Sequence, residues 1–189
     1  MKIEHFKEPF YHTIISDFFT RNQFNDVLEE INSLNQLHLD DDHHKDVLNN
    51  DKTESIHVDS LYEDNREKSQ IIKNTDKLFL MDLDHLTNFN PFLGFVPLTS
   101  TYVTFISKYK NGSKYSIHHD HGVLTFLTLL NVKPYTGGEL VFTKYDYTPP
   151  ITNNSCLIFP SYEKHKVNEV VSEHDGHVRH SINQRIYIQ

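Results

Sequence analysis

The chain has 189 residues, a formal net charge of −8 at pH 7 and one cysteine. This length suits one folded domain with a substantial core. The acidic balance disfavours a nucleic-acid partner, because phosphates would be repelled. One cysteine excludes an internal disulfide or a cysteine-ligated cluster. Since the sequence also has no signal-peptide core and no apolar run of about 18 residues, we expect a cytoplasmic protein without a membrane span, in a bacterial, phage or host-cell cytosol.

The first clear helical pattern begins near Thr20. Thr20 and Gln23 have the spacing of a capping box, in which each side chain satisfies a backbone N–H of the other residue. Apolar residues then recur at helical spacing, at Phe24, Val27, Leu28 and Ile31. The sequence therefore predicts one amphipathic helix in this segment.

The next two segments differ in polarity. Residues 36–67 are strongly polar and have neither helical nor strand periodicity, which predicts a solvated loop. A second helical pattern follows and stops before Asn90-Pro91. Its apolar positions are Ile72, Phe79, Leu83 and Leu86.

After Pro91 the pattern changes to short β-rich runs separated by turn signals such as Asn-Gly and Asp-Gly. The runs are TYVTFISKY, KYSIHHD, VLTFLTLLNV, ELVFT, SCLIF, KHKVNEVV and VRHSINQRIYI. This pattern predicts a sandwich or jelly roll. We expect a single domain over residues 1–189, in which 1–91 provide helical support and a polar loop and 92–189 form a β-core that carries the site.

Histidine and aspartate recur as His-x-Asp at four places in a chain with 14 histidines. Three of them, at His38, His44 and His57, lie in the polar segment, where we expect no strand to fix their geometry. The fourth, His118 and Asp120, follows a β-pattern. Residues i and i+2 of a strand share a face, so this pair can bind one ion while His119 and His121 point away.

A third ligand must come from another strand. His165 lies between two apolar runs, whereas His174, His177 and His180 flank an Asp-Gly turn and are expected in water. His165 is therefore the predicted partner. Two imidazoles and one carboxylate form the facial triad of non-haem Fe(II) oxygenases, although zinc could also bind such a set.

The segment from Tyr109 onward resembles the Fe(II)- and 2-oxoglutarate-dependent dioxygenases, in particular the prolyl 4-hydroxylase-like branch. Six motifs occur in the order and approximate spacing of that family. They are Tyr109-Lys-Asn-Gly112, Tyr115-Ser-Ile-His118-His119-Asp120, Gly137-Gly138-Glu139-Leu140-Val141-Phe142, Phe159-Pro160, His165-Lys166-Val167 and Arg179-His180-Ser181. The resemblance covers residues 102–189 and implies a double-stranded β-helix, or jelly roll, with N-terminal helices packed on one sheet.

The resemblance also implies the site. It assigns His118, Asp120 and His165 to Fe(II), and Arg179 with Ser181 to the distal carboxylate of 2-oxoglutarate. Tyr109 is a candidate donor to the same co-substrate, and ascorbate is a possible supporting reductant. The implied activity is hydroxylation of an unactivated C–H bond, with a prolyl residue of a peptide or protein as the preferred substrate and succinate and CO2 as co-products.

Three alternatives stay open at this point. The first is a small-molecule hydroxylase of the same superfamily. The second is a nucleic-acid demethylase, because Arg179-His-Ser-Ile-Asn-Gln-Arg185 is similar to the R-x-N-x-T-x-R strand of those enzymes, although the acidic charge opposes it. The third is a non-enzymatic jelly-roll or cupin-like metal-binding module, which is disfavoured because no glutamate follows His121 at the cupin spacing. The sequence does not specify an oligomeric state.

Overall fold

The computed structural model describes residues 1–37, 53–81 and 86–188. Twelve strands occur in these residues. They are β1 (Lys2–Phe6), β2 (His12–Ser16), β3 (Glu54–His57), β4 (Thr101–Tyr109), β5 (Tyr115–His118), β6 (Leu124–Asn131), β7 (Thr136–Gly137), β8 (Leu140–Phe142), β9 (Ser155–Pro160), β10 (His165–Val167), β11 (Val170–Val171) and β12 (Arg179–Tyr187). The chain is therefore mainly β, as predicted.

The strands form one large sheet and two small ones, and every pairing is antiparallel. The large sheet has seven strands in the order β1-β2-β9-β6-β12-β4-β3. The order β5-β10-β8 forms a three-stranded sheet, and β11 pairs with β7. This is the predicted jelly roll, with long crossovers that place strands distant in sequence side by side.

Within the described residues four α-helices accompany the sheets: α1 (Arg21–Leu37), α2 (Val58–Tyr62), α3 (Gln70–Thr75) and α4 (Lys77–Leu80), and 3-10 helices span Glu63–Lys68 and Pro91–Leu98. The predicted capping box is present, since the Thr20 N–H donates to Gln23 Oε1 at 3.0 Å and the Gln23 N–H donates to Thr20 Oγ1 at 3.3 Å. The single second helix predicted up to residue 89 is wrong. Two short helices stand there instead, and Leu83 lies outside the described residues.

The N-terminal region is less helical than its pattern indicated. Strands β1 and β2 precede α1, and both join the large sheet. The predicted loop of residues 36–67 also contains β3 and α2, while its residues 38–52 lie outside the described part. Strand β3 is polar and only four residues long, and it forms because it pairs with β4 from Glu54↔Lys108 to His57↔Phe105. Tertiary pairing here overrides a weak local preference.

Two apolar clusters lie on opposite faces of the large sheet. On the outer face, α1 buries Val27 and Ile31 with sheet residues such as Ile106 and Ile182. On the inner face, Leu127 and Phe159 pack towards the small sheet. Alternate residues of β4, β6 and β12 thus serve the two layers, and the inner layer holds the polar residues described next.

Candidate functional site

The small sheet places His118 opposite His165. Strand β10 pairs with β5 in the register His165↔His118, and it pairs with β8 in the register His165↔Phe142. His165 is 3% exposed because it lies inside the sheet, between Phe142 and Phe159. Strand β5 ends at His118, and the Asp120 N–H is fixed by donating to the carbonyl oxygen of Ser161 at 2.9 Å.

These three side chains meet at one point. One ligand atom from each of His118, Asp120 and His165 lies within 4.8 Å of the other two. His118 Nε2 is 3.8 Å from Asp120 Oδ1, and His165 Nε2 is 3.8 Å from Asp120 Oδ2. Two imidazole nitrogens and a carboxylate at these separations form a donor set that suits a first-row divalent metal.

The orientation of both imidazoles is set by backbone hydrogen bonds. His118 Nδ1 lies 2.9 Å from the Ser116 carbonyl oxygen, and His165 Nδ1 lies 2.9 Å from that of Glu163. A carbonyl oxygen only accepts, so Nδ1 carries the proton in each ring and Nε2 keeps its lone pair for a metal. Burial lowers the pKa of His165 to about 4 and also lowers the pKa of His118, which keeps both rings neutral near pH 7.

Asp120 is held by two further side chains. Thr125 Oγ1 donates to Asp120 Oδ2 at 2.7 Å, and Thr125 Oγ1 is itself 2.9 Å from Ser161 Oγ. Arg185 Nη2 lies 2.9 Å from Asp120 Oδ1. Both carboxylate oxygens therefore have a donor, and the Asp120 side chain is only 5% exposed.

A second polar feature lies at the other end of β12. Arg179 is 0% exposed, and its guanidinium carbon is 4.4 Å from the centre of the Tyr109 ring. None of its three nitrogens, Nε, Nη1 and Nη2, makes a hydrogen bond of ordinary geometry among the described residues, although the nearby Tyr135 hydroxyl interacts with the guanidinium. A buried cation without an anionic partner is costly. The guanidinium thus suits an anion that accepts several N–H groups, as a carboxylate does.

The cavity at the His118-Asp120-His165 cluster, called the metal-type cluster below, is lined by both polar and apolar side chains. Tyr109, Ser181 and the three clustered residues line it, as does Arg185. The remaining wall consists of Ser55, Phe105, Ser107, Tyr115, Leu127, Leu140, Val167 and Asn183. The apolar members exclude water from the space that the polar groups face.

Other histidines singled out in the sequence lie elsewhere. His119 and His121 are exposed and lie outside the cluster as expected, although β5 ends at His118 and so strand alternation does not position Asp120.

His174 is exposed, but the expectation of water is wrong for the other two histidines near the Asp-Gly turn. His177 is largely covered, and its Nε2 lies 3.4 Å from Glu54 Oε2. His180 is 2% exposed on the helix side of the large sheet, where burial lowers its pKa to about 3.

The third His-x-Asp pair has a structural role. Asp59 accepts a hydrogen bond from the Thr104 N–H and forms an ion pair with Arg66. His57 stacks on Phe105 with ring centres 4.7 Å apart. The pairs at His38 and His44 lie outside the described residues.

Two contacts of this region were not predicted from the sequence. Arg185 pairs with Asp120, and Ser55 of the supposed loop lines the cavity. For Arg185 a signal existed, because residues 179, 181, 183 and 185 alternate along one strand and must share a face. For Ser55 there was none, since its position depends on the pairing of β3 with β4.

Comparison with known proteins places this geometry in a family. Residues 104–187 match the family model of the 2OG-Fe(II) oxygenase superfamily. No curated protein matches the chain by sequence. Solved structures do match, and they are prolyl hydroxylases and other 2OG-Fe(II) oxygenases.

Three of these structures illustrate the likeness. The viral collagen prolyl hydroxylase of Paramecium Bursaria Chlorella virus-1 has a TM-score of 0.58 at 14% identity, covering 96% of this chain and 98% of the other. A Pseudomonas putida prolyl-4-hydroxylase has 0.62 at 12% identity, covering 94% and 92%. A Trichoplax adhaerens prolyl hydroxylase, solved with a hypoxia inducible factor peptide fragment, has 0.64 at 15% identity, covering 94% and 83%. At these identities the likeness establishes the fold.

Residues 104–187 thus match the 2OG-Fe(II) oxygenase superfamily, and the chain shares the fold of the prolyl hydroxylases compared above. The cofactors that this match implies are Fe(II) and 2-oxoglutarate. The residues present fit both groups, because the His-Asp-His donor set suits the metal and the buried Arg179 guanidinium, which has no anionic partner among the described residues, suits a dicarboxylate. No helix within the described residues is long and apolar enough to cross a membrane.

Proposed function

We propose that the protein hydroxylates a prolyl residue of a peptide or protein, with His118, Asp120 and His165 as the iron ligands. Arg179, with Ser181 and Tyr109, would bind the distal carboxylate of 2-oxoglutarate. We further propose that residues 1–189 act as one domain. The observation that carries the proposal is a compact His-Asp-His cluster in a cavity whose wall includes Tyr109, against whose ring the fully buried Arg179 guanidinium packs.

The ligand roles follow from the state of each donor. His118 and His165 present unprotonated Nε2 atoms, since Nδ1 is used by a carbonyl oxygen in both rings. Asp120 adds one negative charge, and three protein ligands leave part of an octahedral sphere open. Fe(II) and 2-oxoglutarate, when bound, supply the chemistry that couples decarboxylation of the co-substrate to hydroxylation of a C–H bond.

Arg179 supports dicarboxylate binding through its geometry. A guanidinium presents a planar fork of N–H donors that matches a carboxylate, and in a dry environment such a charge-assisted pair is strong. The Tyr109 ring fixes the guanidinium from one side. Ser181, two residues along the same strand face, adds a hydroxyl to the cavity wall.

The prolyl substrate class is supported by the structural relatives, whose named substrates include collagen and a hypoxia inducible factor peptide fragment. The same fold also occurs in the α-ketoglutarate-dependent epimerase SnoN of nogalamycin biosynthesis, at TM-score 0.59 and 10% identity. A substrate assignment therefore needs a direct experiment.

The experiment is a succinate-release assay with Fe(II), 2-oxoglutarate and ascorbate over a panel of proline-containing peptides, matched peptides in which each proline is alanine, and free amino acids. We expect succinate release with a mass gain of one oxygen on proline, and none with the alanine peptides. Succinate release coupled only to a free amino acid would contradict the peptide substrate. Hydroxylation of the alanine peptides would contradict the prolyl target.

A further inference from the structure

The inference concerns Arg185, which lies on the same face of β12 as Arg179 but at the end next to the metal-type cluster. Its Nη2 is 2.9 Å from Asp120 Oδ1, and its side chain is 21% exposed against 5% for that of Asp120. The pair is thus largely shielded from water, where an ion pair is screened little. Arg185 is a close, permanent cation beside the carboxylate that we assign to iron.

The position of Arg185 is fixed by packing. Its guanidinium carbon lies 4.7 Å from the centre of the Phe105 ring, and His57 stacks on that ring with centres 4.7 Å apart. Phe105 belongs to β4, which pairs with β12 along its whole length. An arginine held against an aromatic face loses little further freedom when it binds a carboxylate.

The two donors to Asp120 differ in one respect that matters for a metal. Thr125 is neutral, so its hydrogen bond orients the carboxylate without opposing a cation. Arg185 also orients it, but its positive charge repels any divalent ion that binds the same group. Thr125 should therefore strengthen metal binding, and Arg185 should weaken it.

We infer that Arg185 is a positioning residue that acts as the built-in counter-ion of Asp120. Arg185 holds the carboxylate through Oδ1 and stabilises the site whether or not a metal is bound. Because its charge repels a divalent ion, it also lowers the affinity for the metal. This rests on the proposed role of Asp120 as an iron ligand. Removing the cation leaves a buried carboxylate whose charge only a bound metal can then compensate.

The test measures Mn(II) binding to the chelator-treated full chain by calorimetry, together with thermal unfolding in a chelator. We expect Arg185→Met to bind Mn(II) at least fivefold more tightly than the native protein, and to unfold at a lower temperature without metal. Arg185→Gln, which keeps N–H donors but loses the charge, should bind more tightly too and serves if the first variant does not fold. Arg185→Lys should stay within twofold of native affinity.

Arg21→Met is the control, because it removes an exposed arginine of α1 that neither lines the cavity nor pairs with Asp120. Its Mn(II) affinity should stay within twofold of native. Equal or weaker Mn(II) binding by both uncharged Arg185 variants would overturn the inference, since a purely structural role predicts loss. Failure of the native protein itself to bind Mn(II) would instead contradict the proposed metal site. Failure of the Arg185 inference and failure of the metal site are therefore distinguishable.

Discussion

Strand β12 carries two arginines on its inner face, one at its start and one near its end, and only one of them is paired with a carboxylate. Both lie against an aromatic ring, Arg179 at 4.4 Å from Tyr109 and Arg185 at 4.7 Å from Phe105. Arg185 is paired with a carboxylate of its own chain, whereas the three nitrogens of Arg179 make no hydrogen bond of ordinary geometry among the described residues. An arginine that is paired within the chain needs no further counter-ion, whereas a buried arginine without an anionic partner favours binding of an anionic ligand.

This contrast separates the two ends of the strand by charge. The Arg185 end is paired with a carboxylate of the chain itself and lies beside the proposed metal ligands. The Arg179 end provides positive charge that the chain leaves uncompensated within the described residues, and so it suits an anionic co-substrate. The variants below test whether the two ends act separately.

The largest expected effect is at the ligands themselves. His118→Ala or Asp120→Ala should reduce Fe(II)-dependent succinate release to the background of an enzyme-free control, because two remaining ligands hold a first-row metal poorly. The control is His119→Ala, an exposed histidine next to both ligands, which should keep most of the activity. Equal loss in the control would mean that the assigned side chains are not the ones that bind iron.

At the opposite end, Arg179→Met should raise the KM for 2-oxoglutarate about tenfold to a hundredfold, since a charge-assisted hydrogen bond contributes about 1.5–3 kcal/mol. Initial rates against 2-oxoglutarate at saturating Fe(II) measure this. Arg21→Met, which removes an exposed arginine of α1 that does not line the cavity, is the control and should leave KM unchanged. A native KM in Arg179→Met would place the co-substrate carboxylate elsewhere.

The neutral donor to Asp120 gives a smaller effect. Thr125→Val should weaken Mn(II) binding by about tenfold, because loss of a hydrogen bond to a metal ligand typically costs that much. Thr128→Val is the matched control, as Thr128 lies on the other face of β6 and is also buried. Tighter Mn(II) binding by Thr125→Val would show that the orientation of Asp120 by Thr125 contributes nothing to metal affinity.

The smallest effect concerns the outer face of β12, where His180 stays neutral with a pKa of about 3. Unfolding lets this ring take up a proton below pH 6.5, so its contribution to stability falls as pH falls. Between pH 7 and 5.5, we expect the native unfolding free energy to drop by about 1 kcal/mol more than that of His180→Gln. Urea unfolding at both pH values measures the difference, and parallel losses would exclude His180 as the cause.

Some of this architecture was readable from local pattern. Strand β4 coincides with the run TYVTFISKY at residues 101–109, and the capping box at Thr20 fixes the start of α1. In both cases the local sequence pattern was sufficient to predict the element. The placement of His165 opposite His118 followed from its position between apolar runs.

The elements and contacts that the sequence did not predict depend on pairing between residues distant in the chain. Strands β1 and β3 are short and polar, and each exists through its neighbour in the large sheet. The pairing of Arg185 with Asp120 joins residues 65 positions apart, so alternation along β12 predicts the face on which Arg185 lies but not its partner. The prediction for His180 was wrong because His180 was assigned to the tip of the Asp175-Gly176 turn, whereas it belongs to β12.

The pairing of β5 with β10 has a consequence for assembly. His118 and His165 are direct register partners, and the Asp120 N–H is tied to Ser161, just after β9. An ion bound to all three residues would therefore be a reversible cross-link between the four-residue edge strand β5 and its neighbour β10. Loading should protect the backbone amides of β5 from hydrogen exchange, so that folding of this edge and acquisition of the metal become one linked equilibrium.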